Sequence, residues 1–344
     1  MKKALVFVLA LSMLLLAFGC SSPTQEPANG IASGKITEAK FEIVAEIAPG
    51  SGDGEVGYIY NTENAGPDGF IVKDDGSIAV LDTVNERILI YKDNEHIDTL
   101  DYSSIFRYTV VTAFGYQNGS YYLLERESEN IYAIDENSGE ATVVELPDGV
   151  CVTDILAFRE VNKKMVMLAD TAGDIFASDY RGSKAEYFEV ADDGKSFVKS
   201  DARLRITETI PTEDNKRWVS IKVNDRTWNI RATAGEVVGN YMTDGNGNLC
   251  YLVTELVTGT AFFCGETTIR VCNSRGEVTG YALLSNEPKF SYPSEDLYYT
   301  PDGDVYYMSC DFDAVRIYRV TMGTTYTSNM DAERERAEKL DDND

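Results

Sequence analysis

Between residues 66 and 100 the chain alternates short apolar runs with tight polar turns. Phe70, Ile71 and Val72 make a first run, closed by Asp74, Asp75 and Gly76. Residues 78–81 make a second, residues 88–91 a third, and residues 96–100 alternate as a fourth. Short runs bounded by Gly, Asn and Asp predict strands, and connections this tight predict antiparallel hairpins. Between the second and third strands stands a polar knot, DTVNER, at residues 82–87.

The pattern recurs. Residues 120–125 precede 130–135, residues 165–170 precede 174–177, and residues 218–221 precede 228–230. Residues 249–253 then precede 269–272, and residues 305–308 precede 315–318. A unit of about 45 residues, repeated about six times with four strands in its clearest copy, is the signature of a β-propeller. The expectation is an all-β, six-bladed β-propeller of four-stranded antiparallel blades over residues 41–326. The last copy lacks a fourth strand, whereas residues 41–47 are a spare one. The sixth blade is therefore expected to be closed by this N-terminal strand. Residues 327–344 are charged and are expected to form an acidic, disordered tail with at most a short helix around residues 333–336.

The first copy resembles the NHL-type propeller repeat at Gly66, Pro67, Gly69, Asp75, Gly76, Val80, Asp82, Asn85, Arg87 and Ile88. The resemblance implies that Asp82, Asn85 and Arg87 tie down the turn between the second and third strands. Polar groups in a partly buried turn must find partners, and these three can satisfy one another. Later copies keep fragments: Asp170 in the third, Asp311, Arg316 and Ile317 in the last.

Ahead of the repeats, Lys2 and Lys3 precede an apolar run over residues 4–18, then Gly19, Cys20 and Ser21. A basic start and a short apolar stretch make an export signal, too short for an ordinary membrane span. Gly19-Cys20 resembles the lipobox of bacterial lipoproteins. The resemblance implies a signal peptide over residues 1–19 and a lipidated mature N-terminus at Cys20, with the cell membrane as partner on its extracytoplasmic side. Two acyl chains anchor stably where one does not. Residues 20–40, rich in Ser, Pro, Gly and Thr, read as a flexible tether.

Net charge changes the list of partners. It is −26, and losing Lys2 and Lys3 with the leader deepens it further. Such a surface repels nucleic acid and anionic head groups, and suits solvation, cations or basic partners. Besides Cys20 there are five cysteines, Cys151, Cys250, Cys264, Cys272 and Cys310. Without a CxxC spacing, most read as small buried apolar residues.

His96 is the only histidine, so a Ser-His-Asp triad or multi-histidine metal site has nothing to build from. No cofactor is expected. Residues 244–248 (DGNGN) and 301–304 (PDGD) offer oxygens that suit either calcium or ordinary hairpin turns. The loops after the second strands are expected to converge on one end of the central channel. They bring Glu125, Arg126, Glu127, Asp170, Asp174, Lys222, Asp225, Arg226, Asp311 and Asp313 to a candidate ligand face. The longest of them adds Phe262 and Phe263. Mixed charge beside aromatics suits a polar ligand, and it also describes a solvated loop set. The function expected is a lipid-anchored binding or scaffolding propeller for a protein, peptide or glycan. The alternative is a carboxylate- or calcium-dependent hydrolase or lyase.

Overall fold

The computed structural model describes residues 37–61, 64–105, 111–161, 164–170, 184–208, 216–223, 225–233, 236–257 and 265–341. Strand β1 (Lys40–Ile47) precedes the first sheet, β2 (Gly69–Val72), β3 (Ile78–Asp82), β4 (Arg87–Lys92) and β5 (Glu95–Asp101). The second sheet is β6 (Val111–Gln117), β7 (Ser120–Glu125), β8 (Asn130–Asp135) and β9 (Ala141–Val144). The third contains β10 (Ile155–Val161), β11 (Lys164–Asp170), β12 (Lys184–Val190), β13 (Phe197–Glu208), β14 (Lys216–Val223) and β15 (Arg226–Thr233). The fourth is β16 (Glu236–Thr243), β17 (Leu249–Leu256), β18 (Gly265–Cys272) and β19 (Val278–Leu283). The last runs β20 (Leu297–Tyr299), β21 (Val305–Cys310), β22 (Val315–Thr321), with β1 outermost, paired from Lys40↔Thr321 to Ile47↔Val315.

Each sheet is apolar on both faces because it has a neighbour on each side. Along β11, Met165, Met167 and Ala169 pack toward the second sheet, whereas Val166 and Leu168 pack toward the fourth. The period-two alternation that normally separates core from solvent here separates two cores. Five buried clusters result, each straddling consecutive sheets, and the last joins the final sheet to the first through Met308, Ile317, Phe70 and Val80. Among the described residues the protein is therefore an all-β propeller of five blades.

The blade count corrects the six expected. The third and fourth repeats do not separate: β13 pairs with β12 from Val190↔Phe197 to Lys184↔Arg205, and with β14 from Leu204↔Val223 to Glu208↔Val219. A strand long enough to hold partners on both sides fuses two repeats into one six-stranded blade. Consecutive apolar pairs look the same in sequence whether the second begins a blade or extends one.

The C-terminal segment corrects a second expectation. Residues Met330–Asp341 form helix α1, against β18. Met330, Glu333 and Ala337 lie buried on one stripe. Glu266 accepts hydrogen bonds from Ser328 Oγ at 3.0 Å and Asn329 N at 2.6 Å, which anchors the start of the helix. A stripe this narrow, with Glu333 supplying part of it, does not read as an apolar face. Residues 342–344 lie outside the described residues.

Candidate functional site

The first strand of each sheet is innermost, so the turns β3–β4, β7–β8 and β21–β22 share one end of the propeller with the loops that cross between blades. At this end the DTVNER knot does more than close its own turn. The Asp82 carboxylate is fully buried. It accepts from Asn85 N at 3.2 Å, Asn85 Nδ2 at 2.8 Å and Arg87 Nε at 3.1 Å. It also accepts from Gly57 N, 3.0 Å away in the segment leading from β1 to β2. Asn85 Nδ2 donates to Gly50 O, and Arg87 Nη2 donates to Gly52 O and Glu55 O. Gly57 passes so close that a Cβ there would stand 2.5 Å from Val84 Cβ. Only glycine permits that approach.

The segment held in this way delivers a set of aromatic rings to the surface. Tyr58 stacks on Phe290 with centroids 4.0 Å apart and rings 4° from parallel. Its hydroxyl donates to Asp311 O at 2.8 Å, and burial pushes its ionisation far above the ordinary tyrosine value. Phe290, itself buried, meets Tyr60 edge-on at 4.8 Å and Phe312 edge-on at 5.9 Å. Tyr60 is 70% exposed, Phe312 55%, Tyr292 81% and Ile59 44%. Three loops meet here: the lead-in to β2, the lead-in to β20 and the β21–β22 turn. Edge-to-face contacts of this kind add about 0.5–1.5 kcal/mol beyond area burial. The exposed rings therefore rest on a fixed base.

Beside them, Asp311 accepts from Lys289 Nζ at 2.8 Å, Ser309 Oγ at 2.8 Å and Arg316 Nη1 at 3.0 Å. Burial pushes the Asp311 carboxyl up, but these donors outweigh it and hold the group below the usual aspartate range. Arg316 also donates to both oxygens of Asp313, which holds that carboxyl down in turn.

The structure divides the sequence-predicted face. Glu125 is fully buried and accepts from Glu127 N at 2.8 Å and Ser128 N at 2.7 Å, so it closes its own turn. Arg126 donates to Thr112 Oγ1, and the exposed Glu127 stands beside it. Asp311 and Asp313 sit at the aromatic patch. Lys222, Asp225 and Arg226 do not join them. Fusion of the third and fourth repeats makes β14 and β15 the fifth and sixth strands of their blade, so their turn falls at the opposite end. There a Cβ at Gly247, in the β16–β17 turn, would collide with the Arg226 guanidinium. Asp170 ends β11. Asp174, Phe262, Phe263 and Cys20 lie outside the described residues.

Asp244, offered as a calcium ligand, is buried in a hairpin turn and accepts from Asn246 N, Asn248 N, Asn248 Nδ2 and Tyr299 Oη. Asp304 pairs with Arg319 at 2.8 Å. Among the described residues no group of three or more His, Cys, Asp and Glu side chains is placed to hold a metal ion. His96, on the outer strand β5, meets Thr99 Oγ1 at 2.8 Å and Asp53 at 3.5 Å.

The central channel is nearly filled. Arg159 of β10 reaches Glu295, which precedes β20, at 2.7 Å, and Tyr298 Oη donates to Glu160 at 2.7 Å. Phe70, Phe114 and Phe158 narrow the bore. Burial raises the Glu295 carboxyl above its ordinary value, although Arg159 opposes the shift. The free volume is about 50 Å³, room for a few waters and little else.

No protein-family model matches the sequence, and no curated protein matches it. Among solved structures the chain is similar to a streptogramin B lyase, at 12% identity and a TM-score of 0.44, over 85% of this chain and 100% of that one. It is also similar to a catalytically inactive virginiamycin B lyase from Staphylococcus aureus with quinupristin (13% identity, TM-score 0.44, 83% and 99% of the two chains). A structure of RRP9 WD40 repeats matches at 10% identity and a TM-score of 0.34, over 73% and 79%. The blade count rests on the strand pairing of this chain itself.

Proposed function

We propose that the protein is a binding or scaffolding propeller, lipid-anchored through Cys20 on the extracytoplasmic side of the cell membrane. Its polar ligand or protein partner docks on the patch formed by Tyr60 and Phe312 over Phe290. One observation carries this reading. Two large exposed rings, Tyr60 and Phe312, from two loops rest edge-on against Phe290 of a third, which the Tyr58 stack and the Asp82 knot hold in place, with exposed Tyr292 two residues beyond Phe290. Contiguous exposed aromatics on a rigid support mark interaction sites. The knot also supports reading the first blade as an NHL-type repeat.

A carboxylate-dependent hydrolase or lyase at this end would need free acids. Asp82, Glu125 and Asp311 are each committed to two or more internal hydrogen bonds.

The test is a thermal-shift screen of the full chain against peptides, oligosaccharides and wall fragments, repeated on a Tyr60→Ala/Phe312→Ala double variant. Stabilisation by a hit should vanish in the variant; a hit that stabilises both proteins equally binds elsewhere and overturns the assignment. For the anchor, Cys20→Ala should move the expressed chain from the detergent phase to the aqueous phase. A variant that still partitions with membrane and carries lipid label defeats that part.

A further inference from the structure

We infer that the partner presented to the aromatic patch is a cationic polypeptide segment, rich in arginine or lysine; this rests on reading the patch as the binding site. The inference comes from what surrounds the rings. Among the described residues, two cations lie beside the patch, and both are spent internally. Lys289 is 11% exposed and bound to Asp311. Arg316 is 19% exposed and held by Asp311, Asp313 and Glu46. Two of the three carboxylates that hold Arg316 face outward instead: Asp313 is 71% exposed and Glu46 46%. A docking partner thus meets ring faces and carboxylate oxygens while the positive charge lies underneath. The wider field has the same sign, with 57 acidic against 31 basic residues.

Aromatic faces attract cations through the ring quadrupole, and arginine adds planar stacking to its charge. Arginine over Tyr60 or Phe312, with its guanidinium turned toward Asp313, would use both features of the surface at once. A neutral sugar could meet the rings and the same oxygens, but it would leave the exposed charge of Asp313 and Glu46 uncompensated, whereas a cationic side chain neutralises it. The negative field further speeds encounter with a basic segment and slows it with an acidic one.

The experiment titrates the full chain with fluorescent nona-arginine, nona-lysine and nona-glutamate peptides and a neutral chitooligosaccharide, at low and physiological salt. The expected order is arginine, then lysine, with no binding of glutamate or sugar. Tyr60→Ala/Phe312→Ala should weaken arginine binding by about tenfold or more. Asp313→Asn should weaken it by a few-fold and reduce the salt dependence. Circular dichroism and melting temperature verify that each variant folds. Should the sugar or nona-glutamate bind in a Tyr60- and Phe312-dependent way while arginine does not, the patch stands and the cationic partner is refuted. Arginine binding that ignores both variants and falls only with salt is diffuse attraction to an acidic protein, and it refutes the inference. If no probe depends on Tyr60 and Phe312, the binding site itself is refuted.

Discussion

Replacing Asp82 with alanine probes the joint between fold and site. The carboxylate is fully buried and accepts four hydrogen bonds, two from backbone amides of different segments and one from the cationic Arg87. Its loss strands Gly57 N–H and Asn85 N–H without their acceptor, at about 1–3 kcal/mol for each buried unsatisfied group. It also leaves Arg87, only 13% exposed, without its counter-ion. Breaking one side of a buried pair costs about 3–5 kcal/mol. Arg87 keeps its bonds to Gly52 O and Glu55 O, so these costs overlap, and the net loss should be about 3–5 kcal/mol. With an unfolding entropy of ~2.1 cal/mol/K per residue over the roughly 270 described residues, the melting temperature should fall by about 5–9 °C. Asp82→Asn keeps one acceptor oxygen and should cost about half as much. Calorimetry on the three proteins reads the result directly. An alanine variant melting within 1 °C or so of wild type, well below the ~5 °C expected, would refute the knot as a structural tie.

Other expectations follow from particular contacts. Ile47 of β1 is buried against the final sheet, so Ile47→Ala should cost about 2–5 kcal/mol in denaturant unfolding; a cost near zero would show that β1 is not packed there. Burial raises the Asp296 carboxyl to about 6 from an ordinary 3.8. A raised folded value means that its contribution is fully present below about 3.8 and lost as pH rises through about 6. Asp296→Asn should therefore flatten stability across that window and gain about 2–3 kcal/mol on wild type at neutral pH. An unchanged pH–stability profile in the variant would contradict the shift. Glu266→Ala removes the one oxygen, Oε2, that accepts both hydrogen bonds at the start of α1. Limited proteolysis should then cut after residue 329 several-fold faster while the propeller persists; equal cleavage rates would place the helix anchor elsewhere.

The strands were legible because both faces of every blade are buried, which leaves apolar runs such as IAVL and ILIY unbroken between Gly- and Asp-marked turns. The knot at residues 82–87 was legible for a related reason: Asp, Asn and Arg between two apolar strands have few partners but one another. Its second role was hidden. The Gly57 amide lies 25 residues before Asp82, and nothing in the spacing marks the contact. Blade count failed at β13, because hairpin chemistry is the same within a blade and between two repeats that have fused. That single error moved Lys222, Asp225 and Arg226 to the wrong end. The aromatic patch was missed because Tyr60, Phe290 and Phe312 come from three distant loops. An aromatic in a loop has no periodicity to betray it, whereas Phe262 and Phe263 stand out because they are adjacent in sequence.

A bound partner should leave its footprint on one end of the propeller. Amide hydrogen exchange of the full chain, with and without saturating nona-arginine, should show protection confined to residues 57–60, 289–292 and 310–313. The turn joining β14 to β15, at the opposite end, should exchange unchanged. Protection at that turn, or none at the three loops while the peptide is demonstrably bound, would contradict the proposal that this end of the propeller receives its partner.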